Sequence, residues 1–272
     1  MGHKSRIVSA ALGMILVVAC GTTQQRASQS SSENEVSEVK ESDMKPNPTS
    51  KKRILFVLTS HDTKGETGDP TGFYLSEAAH PWSVLKDRYE IAFASPKGGE
   101  PPVDGKDLSD PINRAFWEDP DIHEAITHTL RPDQIAPSQY AAVHFVGGHG
   151  TMWDFPDNHH LAGIAAEIYE NGGVVSAVCH GPAGLVNIRL KSGAYLVDGK
   201  KVTGFSNDEE EAVGLTDVVP FLLEDRLKER GGLYTSAEKF TDHVVVDGRL
   251  ITGQNPASAK TLGEALAKAI EE

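Results

Sequence analysis

From residue 53 onward, short uninterrupted apolar runs alternate with segments whose apolar residues recur every three or four positions. RILFVLT at 53–59 is rich in branched residues and lacks polar alternation, which predicts a strand covered on both faces. LSEAAHPWSVLKD at 75–87 has helical spacing, with Pro81 expected to kink or punctuate it. YEIAFAS at 89–95 predicts a second strand, closed by the turn-rich PKGGEPPVDG, and YAAVHFVGG at 140–148 a third. HLAGIAAEIYENGG at 160–173 carries Leu161, Ile164, Ala165 and Ile168 on one face and stops at glycine, as an amphipathic helix should. VVSAV at 174–178 predicts a fourth buried strand, and HVVVDGRLITG at 243–253 a hairpin turning at Asp247-Gly248. A terminal helix over 255–272 would take Asn255 as N-cap and Pro256 as its first residue. Strand and helix in alternation predict an α/β fold: a three-layer sandwich, a mostly parallel central sheet and small β-hairpin additions. Its site should lie beyond the C-terminal ends of the strands.

Residues 1–50 break this rhythm. A basic start (Lys4, Arg6) precedes an apolar run at 7–19 that is too short to span a membrane and has the flanks of a secretory signal. The run closes on LVVAC, which resembles the lipobox of bacterial lipoproteins and implies cleavage before Cys20 and lipidation of Cys20. Multiple acyl chains anchor firmly where one gives marginal binding. Residues 20–50, serine-rich and without an aromatic, cannot offset their ordering entropy by burial and read as a disordered tether. The expected organisation is a signal peptide at 1–19, a lipid-anchored tether at 20–50 and one α/β domain at 51–272. The expected location is the cell envelope, facing the periplasm from the outer membrane, with the lipid anchor as the sole membrane contact.

Charge and cysteine usage narrow the chemistry. With 39 acidic against 26 basic residues and a formal charge of −13, the chain lacks the basic face that nucleic acid or an anionic membrane would require. It has two cysteines; if Cys20 is lipidated, Cys179 has no intrachain partner for a disulfide. Cys179 ends the fourth apolar run, followed by His180, Gly181, Pro182 and the helical AGLV, which is the build of a nucleophile elbow. Helix N-terminal amides there should lower the thiol pKa. A Cys179–His180 hydrogen bond does not follow from adjacency, since successive helical residues diverge, although a sharp turn could leave the imidazole beside the thiol. No H-x-x-x-H and no second-cysteine spacing is present, and neither His159 and His160, adjacent, nor His123 and His128, five apart, share a helix face, so no dedicated zinc site is expected.

AVCHGPAGL, VGGHGTMWDFPD, LSEAAHPW, VTGFSNDEEEAVGL and LITGQNPASA together resemble the PfpI-type (class I glutamine-amidotransferase-like) superfamily, and most of all its glyoxalase III and heat-shock-chaperone branch. The resemblance spans 52–272 and implies a flavodoxin-like sheet. Carried over by position, it implies Cys179 as nucleophile, His180 beside it, and Glu77 as the acid near the thiol, with Glu66 the rival. It further implies Glu210 as the acid that orients His180, among neighbours Asp208, Glu209 and Glu211. Amides of Gly148 and His180 would form an oxyanion hole, with His149 lining the pocket.

The function so implied is a cysteine-dependent, glutathione-independent glyoxalase (D-lactate dehydratase) that converts methylglyoxal to D-lactate without a cofactor or metal. The partner is a small 2-oxoaldehyde, and relatives imply a homodimer. Removal of methylglyoxal adducts from proteins, or a holding chaperone with the thiol as redox sensor, stand as alternatives. A glutamine amidotransferase needs a late His-x-Glu dyad, whereas His243 is followed by Val244-Val245.

Overall fold

The computed structural model describes residues 51–272; the expected signal at 1–19, Cys20 and the tether at 20–50 lie outside the described residues. Six strands form the central sheet: β1 (Arg53–Val57), β2 (Glu90–Ala94), β3 (Ala142–Phe145), β4 (Val174–Val178), β5 (Val244–Asp247) and β6 (Leu250–Gly253). Their order is β2-β1-β3-β4-β6-β5. Every neighbouring pair is parallel except the β5–β6 hairpin. This is the α/β fold with a mostly parallel sheet expected from the apolar alternation. Two small two-stranded pairings, Phe73–Tyr74 with Val103–Asp104 and Lys201–Val202 with Leu233–Tyr234, sit apart from it; both are parallel bridges rather than hairpins.

All five residues of β4 are buried, which requires cover on both faces. That cover comes from helices α5 (His159–Glu170), which follows the single turn α4 (Thr151–Asp154), and α8 (Ala259–Glu271), which comes after α7 (Leu223–Glu229). Both α5 and α8 pack on β4. Helix α1 (Leu75–Leu85) packs on α8 and on α2 (Pro111–Glu118), which leads into α3 (Pro120–Thr127). Asp110 and Asp119 cap these two short helices with proline at the first position, a start signal the apolar pattern alone does not carry.

The chain reverses direction across the sheet between β1 and β3, so loops leaving those strands and β4 diverge around a crevice. Thr59, Gly147-Gly148 and Cys179 follow the C-terminal ends of these three strands. Three expectations are corrected here. Of the two outcomes expected of Pro81, ending the helix is ruled out, because α1 runs through it. The terminal α-helix begins at Ala259, because Pro256–Ser258 forms a separate 3-10 turn that Asn255 caps through Ala257 N. Residues after Cys179 form a four-residue 3-10 turn, Gly181–Gly184, in place of a longer α-helix. Among the described residues, no helix is long and apolar enough to cross a membrane.

Candidate active site

Cys179 has φ of 59°, one of two non-glycine residues with positive φ among the described residues. Such backbone costs a β-carbon-bearing residue roughly 1–2 kcal/mol. It is held by Cys179 N donating to Gly253 O at 2.9 Å and Phe205 N donating to Cys179 O at 2.8 Å. The sharp turn has a direct consequence that helical geometry denies: His180 Nδ1 comes 3.4 Å from its neighbour's Sγ. Cys179 is 4% exposed and lines a cleft of about 470 Å³ together with Gly148, His149 and Phe205.

His180 is fully buried, and its Nε2 lies 2.8 Å from Glu210 Oε2. Glu210 sits in α6 (Asn207–Ala212), and its other oxygen takes His149 Nε2 at 3.0 Å. Burial alone would raise the Glu210 carboxyl, but the two imidazoles overcome it and hold the group down to about 2. Burial, reinforced by His149, pushes His180 down to about 4. At neutral pH the carboxylate therefore accepts Nε2–H of a neutral imidazole, leaving Nδ1 as the acceptor facing the thiol. Of the rival acids, Asp208 and Glu211 are exposed. Glu209 is consumed by a capping box with Ser206 and by the amide of Phe240 and the Asn255 side chain.

Glu77 also lies close to the thiol, in the first turn of α1, and is fully buried. Burial pushes its carboxyl well above the usual range; the nearby Cys179 thiol and Gly147 amide oppose the rise. Neither carboxyl oxygen completes a hydrogen bond of good geometry. Close packing brings the acid and thiol together: a β-carbon on Gly147 would overlap Glu77 Oε2 and lie 2.9 Å from Cys179 Cβ. Glu66, the rival, is exposed in a 3-10 turn at Gly65–Thr67.

The backbone of Glu77 is fixed by an exchange of partners. Pro81 lacks the N–H that would bond the Glu77 carbonyl one turn back. His144 on β3 supplies the donor instead, Nε2 to Glu77 O at 3.3 Å, while its Nδ1 takes Ser176 Oγ at 3.0 Å. Burial pushes His144 down to about 4, so it stays neutral and keeps that tautomer. Sequence patterning placed His144 and Ser176 only as strand residues; the signal for their role is the proline four residues after Glu77.

Gly148 adopts φ of 105°, and any β-carbon there would collide with Gly72 O and Tyr74 N. Thr151 Oγ1 ties the two loops together by bonding the carbonyls of Gly148 and His180, each at 2.9 Å. The expectation of a thiol pKa lowered by a helix terminus is corrected. Burial and the neighbouring Glu77 push Cys179 well above its ordinary value, and the His180 amide opposes them only in part. The physical reason is that a four-residue 3-10 turn supplies little aligned dipole, whereas both acid and thiol lie out of water.

His149, His180 and Glu210 offer ligand atoms all within 4.8 Å of one another. Two imidazoles and a carboxylate are a donor set suited to a borderline divalent cation. The short-range spacing of histidines could not reveal it, because the three come from segments far apart in sequence, two turns and helix α6.

The sequence model of the DJ-1/PfpI family matches residues 70–269. The glutathione-independent glyoxalase HSP31 of Saccharomyces cerevisiae is 35% identical over 227 residues, covering 76% of this chain and 93% of that protein. The crystal structure of glyoxalase III from Candida albicans superposes with a TM-score of 0.75 at 32% identity, covering 80% of this chain and 97% of that one. The X-ray structure of the Francisella tularensis Rapid Encystment Protein 24 kDa gives a TM-score of 0.78 at 40% identity, covering 80% and 99%. These relatives correct the expected location. The envelope assignment rested on residues 1–20 alone. The proteins that match the domain nearly end to end include glyoxalases of eukaryotic yeasts, which have no outer membrane with a periplasm behind it. The outer-membrane, periplasm-facing, lipid-anchored placement is overturned.

Proposed function

The chain belongs to the DJ-1/PfpI family, and from that premise we propose that it is a glutathione-independent glyoxalase, converting methylglyoxal to D-lactate on Cys179. One observation carries this reading. A thiol lining the cleft has a buried carboxyl that favours its proton, Glu77, packed close by and a neutral imidazole braced by an ionised carboxylate within reach, in a chain 35% identical to a protein of that name.

The thiol is protonated at rest, so its attack is coupled to proton loss. As the sulfur bonds to the aldehyde carbon, its proton passes to His180 Nδ1, 3.4 Å away. The aldehyde oxygen becomes an oxyanion received by the amides of Gly148 and His180, then takes the proton of Glu77, which completes the hemithioacetal and leaves Glu77 ionised. Glu77 now takes the hydrogen of that carbon while His180 returns the thiol proton to the ketone oxygen, forming an enediol. Glu77 delivers its hydrogen to the second carbon and recovers a proton from the first hydroxyl, so both groups regain their resting states. The first carbon is oxidised to a thioester and the second reduced to a carbinol, so no outside redox partner is needed. Water, deprotonated by His180, breaks the carbon–sulfur bond and releases lactate.

Glu77 suits the shuttle because burial raises its carboxyl above the usual range and so makes it, once ionised, a stronger base than an exposed carboxylate. The test is purified protein incubated with methylglyoxal and assayed for chiral lactate, alongside Cys179→Ala. D-lactate from the wild type and none from the folded variant are expected. Turnover by Cys179→Ala would refute the mechanism.

A further inference from the structure

The cleft over Cys179 has two unlike walls. One is polar: Lys64, Asp69, Tyr74 and Asp104, with Lys64 and Asp104 paired at 3.8 Å. The other is apolar: Phe205, Val213, Leu215, Phe240 and Pro256. Val213 is 42% and Phe240 49% exposed, so this wall holds two of the four large apolar side chains exposed among the described residues. A substrate bearing only a methyl group has no use for so broad an apolar face.

Phe240 is also the second of the two non-glycine residues with positive φ, at 59°. Its conformation is built, not incidental. Phe240 N donates to buried Glu209 Oε1 at 2.8 Å. Asn255 Nδ2 bonds that same oxygen at 2.9 Å and Thr241 O at 2.8 Å, and Gln254 Oε1 takes Ala237 N at 2.8 Å. The turn is thus clamped before and after the ring. Its ring stands 6.3 Å from Phe205, whose own ring lies 4.3 Å from His180. An aromatic ladder leads from the cleft rim to the imidazole beside the thiol.

We infer that Phe240 and the wall it completes set substrate class: the favoured substrate is a 2-oxoaldehyde whose ketone carries a bulky apolar group, aryl or branched alkyl. This rests on the glyoxalase reading. The dicarbonyl end faces the thiol and polar wall, and the substituent is desolvated against Phe240, Val213 and Leu215. A half-exposed wall discriminates less than a closed pocket, so the expected gain sits at the low end of the range for hydrophobic recognition.

The test measures kcat/KM for glyoxal, methylglyoxal, isopropylglyoxal and phenylglyoxal with wild type, Phe240→Leu, Phe240→Ala and Phe240→Gly. In the wild type, kcat/KM should climb along the series, with phenylglyoxal about tenfold or more above methylglyoxal. Phe240→Ala should cut that ratio to near unity, and Phe240→Leu should retain part of it. Phe240→Gly accepts the left-handed backbone without a side chain. If it matches Ala, the ring carries the preference; if it keeps the wild-type ratio, the inference falls. A wild type with no preference among aldehydes that it does turn over overturns this inference alone. No turnover of any aldehyde by folded protein overturns the glyoxalase reading, and this inference with it.

Discussion

Glu77 and Glu210 are both buried beside one thiol, one in the first turn of α1 and the other in α6, yet their surroundings drive them in opposite directions. Glu210 has an imidazole on each oxygen and is held at about 2. Glu77 has no completed hydrogen bond and is pushed well up by burial. A carboxylate that fixes a tautomer must stay charged; one that moves protons gains basicity from a raised pKa. Environments that push paired titratable groups apart mark the division of labour.

The largest expected effect breaks this division at its active half. Glu77→Gln keeps the shape of the side chain but cannot take up a proton, so kcat should fall by about 10³-fold, within the range for a lost acid–base group. Glu210→Gln still offers an oxygen to His180 but loses the charge that braces it, and a smaller loss of about 10²-fold is expected. Steady-state kinetics on methylglyoxal compare the two, and equal losses would erase the proposed difference in roles.

Stability should rank the same residues with opposite signs. Glu77→Met removes an unsatisfied buried polar group while keeping an unbranched chain, and should be neutral to stabilising by about 1 kcal/mol. Glu210→Gln weakens two charge-assisted bonds and should cost about 1–3 kcal/mol. Urea unfolding monitored by circular dichroism reads both. A destabilised Glu77→Met protein would show that the acid has partners that offset its burial.

The pH dependence sharpens the contrast. The folded-state pKa of Glu77 lies above the unfolded value. Stability is therefore full below the unfolded value and is lost as pH rises through the folded one, because the native state must then ionise in a buried place. For Glu210, with its folded value near 2, the stabilisation is present above 4.5 and is lost as pH falls from there. Melting temperatures across pH should thus show Glu77→Met gaining on the wild type toward alkaline pH. The Glu210→Gln deficit should shrink toward acid pH. Parallel curves would contradict both assignments.

How much of this was legible depended on whether the deciding contacts were local. β4 lies at 174–178 as its unbroken apolar run predicts, because a doubly covered strand writes its burial into its own sequence. The hairpin forms where expected but turns one residue later, at Gly248-Arg249, because Asp247 stays paired with Leu250 and Gly248 takes the left-handed backbone. Helices α2, α3 and α6 escaped the apolar pattern because each is short and defined by its cap: Asp110, Asp119 and Ser206. Among the four acids at 208–211, family resemblance selects Glu210, but only the fold shows why its neighbour is spent elsewhere: Glu209 turns back onto Ser206. The thiol pKa was misjudged because a dipole argument is local and desolvation is not. Burial of Cys179 comes from loops scattered from Gly147 to Gly253 in sequence.

The smallest expected effect comes from making Glu210 more like Glu77 by degrees. His149 supplies one of the two bonds to that carboxylate, at 3.0 Å, and its side chain remains 16% exposed. The deeper partner, His180, is untouched by replacing it. His149→Ala should therefore leave Glu210 charged at neutral pH but with a folded-state pKa displaced upward from about 2 toward its ordinary value. The stabilisation lost should be about 1 kcal/mol, less than for Glu210→Gln, because water entering the vacated space can solvate the freed oxygen. Catalysis should drop less than about tenfold, since Nδ1 of His180 still faces the thiol with its tautomer fixed. An acid limb of the melting curve between those of wild type and Glu210→Gln would place the two imidazoles as graded, separable supports for one charge. A His149→Ala protein as impaired as Glu210→Gln would instead mean that both rings act as a single unit.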